Sequence, residues 1–221
     1  MPSDWMQFFD PGALAIVLAG TFLATAARCG WSDLRVAGAA LLNVRGRAID
    51  ETSNRAALAR LLKDINRAGP LCTDHPAPPD PALARPVAAY LRSGSADALH
   101  VQRRADRAKR EMLRGAAVRA FEYAGELAPV FGLVGTLYAI TQIAPGAGEE
   151  SAVATLGAIG TAVMSSLYGV LIAHLLCIPI ARAIERQSER EETVHNTLLD
   201  WFISELPQDK PLALASVRGA A

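Results

Sequence analysis

Residues 151–181 read SAVATLGAIGTAVMSSLYGVLIAHLLCIPIA, 31 residues without one Asp, Glu, Lys or Arg. A helix needs roughly 20 mostly apolar residues to cross the hydrocarbon layer of a bilayer, about 30 Å thick. This run is longer than that, so its helix is expected to leave the membrane and continue into the charged run 182–192. Two other stretches qualify. Residues 127–148 carry no charge and end in a small-residue turn, Ala144-Pro145-Gly146-Ala147-Gly148. Residues 11–27 carry none either and, with Trp5, Phe8 and Phe9 in front, are just long enough. Ala24-Thr25-Ala26 looks like a signal cleavage site, but a signal peptide opens on positive charge. Here Asp4 and Asp10 precede the first span, with no Lys or Arg. The expected fold class is an all-α integral membrane protein with three transmembrane helices. The last two are long and extend into a cytoplasmic helical region.

Charge sets the expected orientation. Of the 22 Lys and Arg, 17 lie between Arg28 and Arg119; the rest are Arg182, Arg186, Arg190, Lys210 and Arg218. The N-terminus and the loop around Gly148 carry Asp4, Asp10, Glu149 and Glu150 instead. Basic residues stay on the cytoplasmic side. Residues 1–27 then form a periplasmic end and first span. Residues 28–122 form a cytoplasmic helical segment with a proline-rich linker. Residues 123–148 form the second span and a periplasmic turn, 149–182 the third span, and 183–221 a cytoplasmic helix and tail. The expected location is the inner (cytoplasmic) membrane of a bacterium. Cys29, Cys72 and Cys177 are scattered, with no disulfide or zinc spacing, so neither metal nor cofactor is expected.

In the middle segment, Ala57, Leu58, Leu61, Leu62 and Ile65 have helical spacing over residues 53–66, and Gly69-Pro70 ends the helix. Pro70, Pro76, Pro78, Pro79, Pro81 and Pro86 predict turns or extended chain. A short helix over 87–92 meets a break at Ser93-Gly94-Ser95. From Ala96 one long helix runs into the second span. It is basic, with Arg103, Arg104, Arg107, Lys109, Arg110, Arg114 and Arg119, and reads either as a docking face for an acidic partner or as a solvated juxtamembrane helix drawn to anionic lipid. No aromatic platform or groove-reading motif accompanies that charge, so nucleic acid is not an expected partner.

The second span contains Ala128-Pro129-Val130-Phe131-Gly132-Leu133-Val134-Gly135-Thr136. Pro129 leaves one carbonyl without its helical donor, and Gly132, Gly135 and Thr136 make a small, slightly polar face. The third span has Gly157, Thr161, Ser165, Gly169 and Ala173 at every fourth position, a stripe that lets helices approach closely in lipid. Ser166 adds a hydroxyl beside it. These residues are either a packing face or the lining of a narrow polar route. Glu126, at the inner edge of the second span, and His174, inside the third, are either an anchor and a packed imidazole or proton relays. An enzyme built on Ser165 or Ser166 with His174 is disfavoured. Eight or nine residues along one helix is about 12–13 Å of rise, beyond hydrogen-bond reach.

The chain resembles the MotA/TolQ/ExbB proton-channel family. Ala128-Pro129 followed by Gly132-Leu133-Val134-Gly135-Thr136 is similar to the family's penultimate-helix signature. Ala162-Val163-Met164-Ser165-Ser166-Leu167-Tyr168-Gly169 is similar to its last-helix motif, with Ser166 where a threonine is usual; Pro179 also matches. The likeness is closer to MotA-type stator subunits, through residues 9–21, 66–71 and the helix leading into the membrane. It lacks their first span and the rotor-facing glutamate after the Arg-x-Gly stretch; Thr161 stands where the ExbB/TolQ branch has glutamate. The resemblance implies a homo-oligomeric ring, a pentamer, around a single-span MotB/ExbD/TolR-like partner whose aspartate carries the ion. Thr136 and Ser166 would face that aspartate, with Pro129 and the glycines letting the ring move. The implied function is an ion channel, of protons, that converts ion-motive force into mechanical work. The alternatives are a non-conducting membrane scaffold and an ExbB/TolQ-like energiser of envelope transport.

Overall fold

The computed structural model describes residues 10–44, 49–69, 77–143 and 149–206. The 144–148 turn, Pro70, Cys72, Pro76 and the chain ends singled out above lie outside them. The described residues form α1 (Pro11–Cys29), α2 (Trp31–Val44), α3 (Glu51–Ala68), α4 (Pro81–Ser93), α5 (Ala96–Thr141), α6 (Glu149–Leu171) and α7 (Ile178–Glu205). A π-helical segment, Ile172–Cys177, joins α6 to α7. Among the described residues three helices are long and apolar enough to cross a membrane, and two of these are much longer than a bilayer requires. The chain divides into two compact units.

The first unit comprises residues 1–46 and 112–188. Asp10 caps α1, its carboxylate accepting from the Gly12 and Ala13 amides at 3.0 and 3.1 Å, and Pro11 supplies the preset first residue. Val17, Ala128, Ile172, Ala173 and Cys177 bury together, flanked by Leu14, Ala124 and Tyr168. Gly20 lies against the Phe131 ring, where any Cβ would collide. α5 runs unbroken through Pro129. The π segment sits just ahead of Pro179. A helical proline has no N–H and its ring presses on the carbonyl four residues back. A wider turn relieves that crowding, and the Ile178 amide reaches the Ala173 carbonyl instead. Away from these contacts large apolar side chains are bare: Leu23 is 66 % exposed, Leu156 69 % and Val153 70 %. Such faces suit lipid or other transmembrane helices, not water.

The second unit comprises residues 47–111 and 189–221. Its core is Leu58, Leu61, Leu62 and Ile65 of α3, Leu83, Val87 and Tyr90 of α4, Leu99 of α5, and Leu198, Leu199 and Phe202 of α7. The Tyr90 and Phe202 rings meet edge to face. The helix expected over 53–66 runs Glu51–Ala68 and ends on Gly69, at φ 83°. The one expected over 87–92 is longer, Pro81–Ser93. Pro81 is at the first position, capped by Asp80, where its missing N–H costs nothing; Pro86 lies inside the helix and forfeits one backbone bond, and it is buried there. Gly94, left-handed at φ 67°, makes the expected break. Asp80 ties three helices together. It caps α4 through the Ala82 amide (2.8 Å), its own amide donates to Asn54 Oδ1 on α3 (3.2 Å), and its carboxylate meets His195 Nε2 on α7 (2.8 Å). The His195 hydrogen bond holds the Asp80 carboxyl below the usual carboxylate range, against the opposing effect of burial.

Candidate functional site

α5 and α6 touch through glycine and serine. A Cβ on Gly169 would lie 2.6 Å from the Ala128 carbonyl oxygen and 3.1 Å from the Cα atoms of Pro129 and Gly132. One on Gly132 would lie 3.1 Å from the Ser165 carbonyl oxygen, and one on Gly135 would overlap the Ser165 hydroxyl. The backbones are therefore in direct contact along this seam. Ser165 is fully buried in it and donates to the Gly132 carbonyl at 2.9 Å. That bond crosses between helices; it does not turn back on the serine's own helix.

Thr136 donates to the Leu133 carbonyl of its own helix at 2.6 Å and remains partly exposed, as does Ser166. Thr161 donates to Asp10 Oδ2 at 2.7 Å, and the Tyr168 hydroxyl accepts from the Asp10 amide at 3.0 Å. Asp10 is thus a carboxylate fixed between α1 and α6 by groups from both helices. Sequence reading took it only as a charge marking the outer end. Its place at Asp-Pro, a helix cap followed by a first-turn proline, was the available signal; the reach to Thr161 was not. Thr161 also lines a cleft of about 300 Å³ with Tyr138, Ala139, Gln142, Ala154, Gly157 and Ala158. At Gly157 and Gly160 a Cβ would meet nothing within 4 Å. The small stripe of α6 is therefore closed against α5 at Ser165 and Gly169 and bare at its start.

Glu126 and His174 stand apart from this seam. Glu126 is exposed and pairs with Arg28 at 3.2 Å, and that guanidinium lies 4.0 Å from the Tyr123 ring centroid. His174 is exposed in the π segment, with Nδ1 3.1 Å from the Val170 carbonyl oxygen. Among the described residues no three His, Cys, Asp or Glu side chains gather so as to hold a metal ion.

Known proteins with this architecture follow the same helices. The flagellar MotAB stator complex of Bacillus subtilis superposes with a TM-score of 0.74 at 19% identity, over 90% of this chain and 79% of that one. C. jejuni MotAB gives 0.68 at 15% identity, over 95% and 89%. In sequence, YtxD of Bacillus subtilis (strain 168) is 31% identical over 98 residues, and Motility protein A of Borreliella burgdorferi 28% over 94. These matches span 44% and 42% of this chain, but only about a third of either relative's length, 35% in each case. Residues 78–197, more than half of the chain, match the MotA/TolQ/ExbB proton channel family. That region contains the glycine–serine seam and, of the second unit's core, Leu83, Val87, Tyr90 and Leu99, and the chain accordingly belongs to the MotA/TolQ/ExbB proton channel family.

Proposed function

We propose that the chain is the ring-forming subunit of an inner-membrane proton channel that drives a mechanical device, working with a single-span partner that carries an aspartate. The observation that supports this most is the α5–α6 seam. Glycines bring the two backbones together, Ser165 is consumed in holding them, and Thr136, Ser166 and Thr161 stay partly exposed at the margin, the first donating to the Leu133 carbonyl and the last to Asp10. A proton crossing lipid needs a titratable group at depth. The partner's aspartate supplies it, with Thr136 and Ser166 beside it and Asp10–Thr161 at the outer end. Five copies around two partner helices is the assembly that the resemblance implies. The N-terminus faces the periplasm and residues 28–122, which hold 17 of the 22 Lys and Arg, the cytoplasm, following the positive-inside rule.

Glu126 and His174 act here as interfacial anchor and lipid-edge imidazole. A titrating role for either would show as proton flux lost in Glu126→Gln or His174→Gln. The seam also favours one second reading, a scaffold without conduction, because Ser165 and Thr136 already satisfy backbone carbonyls. Partner contact separates the readings at the first step. A cysteine at Ser166, in a chain whose native cysteines are replaced by alanine, is paired with a cysteine next to the partner's aspartate. Oxidative cross-linking there, and none from a cysteine at Leu156, on the bare outer part of α6, is expected. Cross-linking at Leu156 and none at Ser166 would reject the partner-facing assignment.

A further inference from the structure

We propose that the exposed face of α2, with the arginines beside it, is a docking surface for the headgroups of anionic phospholipids. This holds whether or not the chain conducts ions.

Sequence reading predicted no separate helix here; the structure shows one in a particular place. α1 ends at Cys29, Gly30 turns the chain at φ 83°, and α2 begins at Trp31. α2 is anchored through Val36, Ala37 and Ala40, in a cluster with Cys29, Ala117, Val118, Ala120, Phe121, Ile180 and Ile184. The α5 members, 117 to 121, occupy about one turn, and so do the two from α7. The α2 members, 36 to 40, also span only about one turn, so each helix meets the others over a single turn, as helices do when they cross instead of running alongside. The crossing lies where both long helices pass from apolar to charged sequence, at Arg119 and Arg182. A helix laid across the spans at that level lies in the headgroup layer.

Its outer face matches that layer. Trp31 is 63 % exposed and Leu42 79 %, with Leu41 and Arg35 also exposed. Trp31 meets Phe22 edge to face at 6.2 Å, and Phe22 is itself 52 % exposed on the apolar side of α1. Trp31 therefore stands on the lipid side of α1, where indole rings collect at membrane interfaces. The charges around it are Arg28, Asp33, Arg35, Arg119, Glu122, Glu126, Arg182, Glu185 and Arg186. Arg28 takes Glu126 and Arg182 takes Glu185. Asp33 receives the Ser32 hydroxyl and is turned partly inward. Arg35 and Arg119 are exposed and have no carboxylate partner among the described residues. Two free guanidiniums beside an interfacial tryptophan call for phosphate oxygens of lipid.

Trp31 reports the occupant. The full chain is reconstituted in phosphatidylcholine vesicles with a minor fraction of phosphatidylglycerol, brominated near the headgroup on one lipid or the other. The signal is the quenching seen in the native chain and missing in Trp31→Phe. Phosphatidylglycerol is expected to quench at least about two-fold more than its mole fraction predicts. The excess should vanish in the Arg35→Gln, Arg119→Gln double variant. Should that variant fold poorly, raising salt on the native chain gives the same reading, because screening weakens surface charge attraction. Quenching in proportion to mole fraction, or an excess unmoved by both changes, overturns the anionic preference. No quenching by either lipid overturns the lipid surface and leaves a second copy or another protein as its cover.

Discussion

The two units are built from the same kind of element, and different contacts hold them. In the first, helices meet backbone to backbone, with Gly132, Gly135 and Gly169 at the contact and one serine hydroxyl crossing it. In the second, leucines from four helices close over Phe202, and polar ties such as Arg103–Asp200, Arg107–Glu192 and His195–Asp80 lie around them. The difference follows from solvent. Water drives large apolar side chains together at about 25 cal/mol per Å². Lipid gives no such drive, so close van der Waals approach and interhelical hydrogen bonds do the holding. The first unit leaves its large side chains outside, and the second buries them.

Substitutions should break the comparison at different points. Phe202→Ala should be the most damaging, costing the second unit about 3–5 kcal/mol through the cavity it leaves. Hydrogen exchange should show protection lost over α3 and α4, read against the native chain. Gly169→Ala adds one methyl where the Ala128 carbonyl already stands. It should cost about 1–3 kcal/mol by overpacking, measured as a lowered melting temperature in detergent. The methyl would meet backbone and not a side chain that can move aside, so it is expected to part α5 from α6. Ser165→Ala removes the cross-helix hydrogen bond and should cost about 1 kcal/mol, with Gly132→Ala worse than Ser165→Ala.

Acid should act on the second unit through Asp80. Its folded pKa lies below the unfolded value of about 3.9. The stability it contributes is complete above that value and is lost as pH falls through the folded pKa. The second unit should therefore weaken below about pH 4, and Asp80→Asn should flatten that part of the profile in a helicity titration. The smallest effect belongs to Arg28–Glu126, an exposed pair whose loss in Glu126→Gln should cost no more than about 1 kcal/mol.

Much of this was legible from residue order. The uncharged runs marked three membrane-crossing helices, and the glycine spacing marked the α5–α6 faces. Gly69 and Gly94 ended their helices where expected. α2 was not legible, because WSDLRVAGAALLNV sits inside a stretch read for its charge, and its packing face is mostly alanine. The extent of α4 was hidden by Pro81 and Pro86, which read as breakers until Asp80 is recognised as a cap. At the site, the small stripe was visible, but its division was not. Ser165 and Gly169 closed while Gly157 stayed bare depends on how α5 crosses α6. The Asp10–Thr161 contact joins residues 151 positions apart, a distance that local spacing does not reveal.

The central claim, ion conduction beside this seam, is tested most directly by flux. The chain is co-expressed with a single-span partner bearing a membrane aspartate, any plug segment deleted, and reconstituted in vesicles under a proton gradient. The native pair should conduct, and flux should fall at least about ten-fold in Thr136→Ala plus Ser166→Ala and with the partner's aspartate changed to asparagine. A folded, assembled complex that carries no ions under either a proton or a sodium gradient would contradict the account and leave the scaffold.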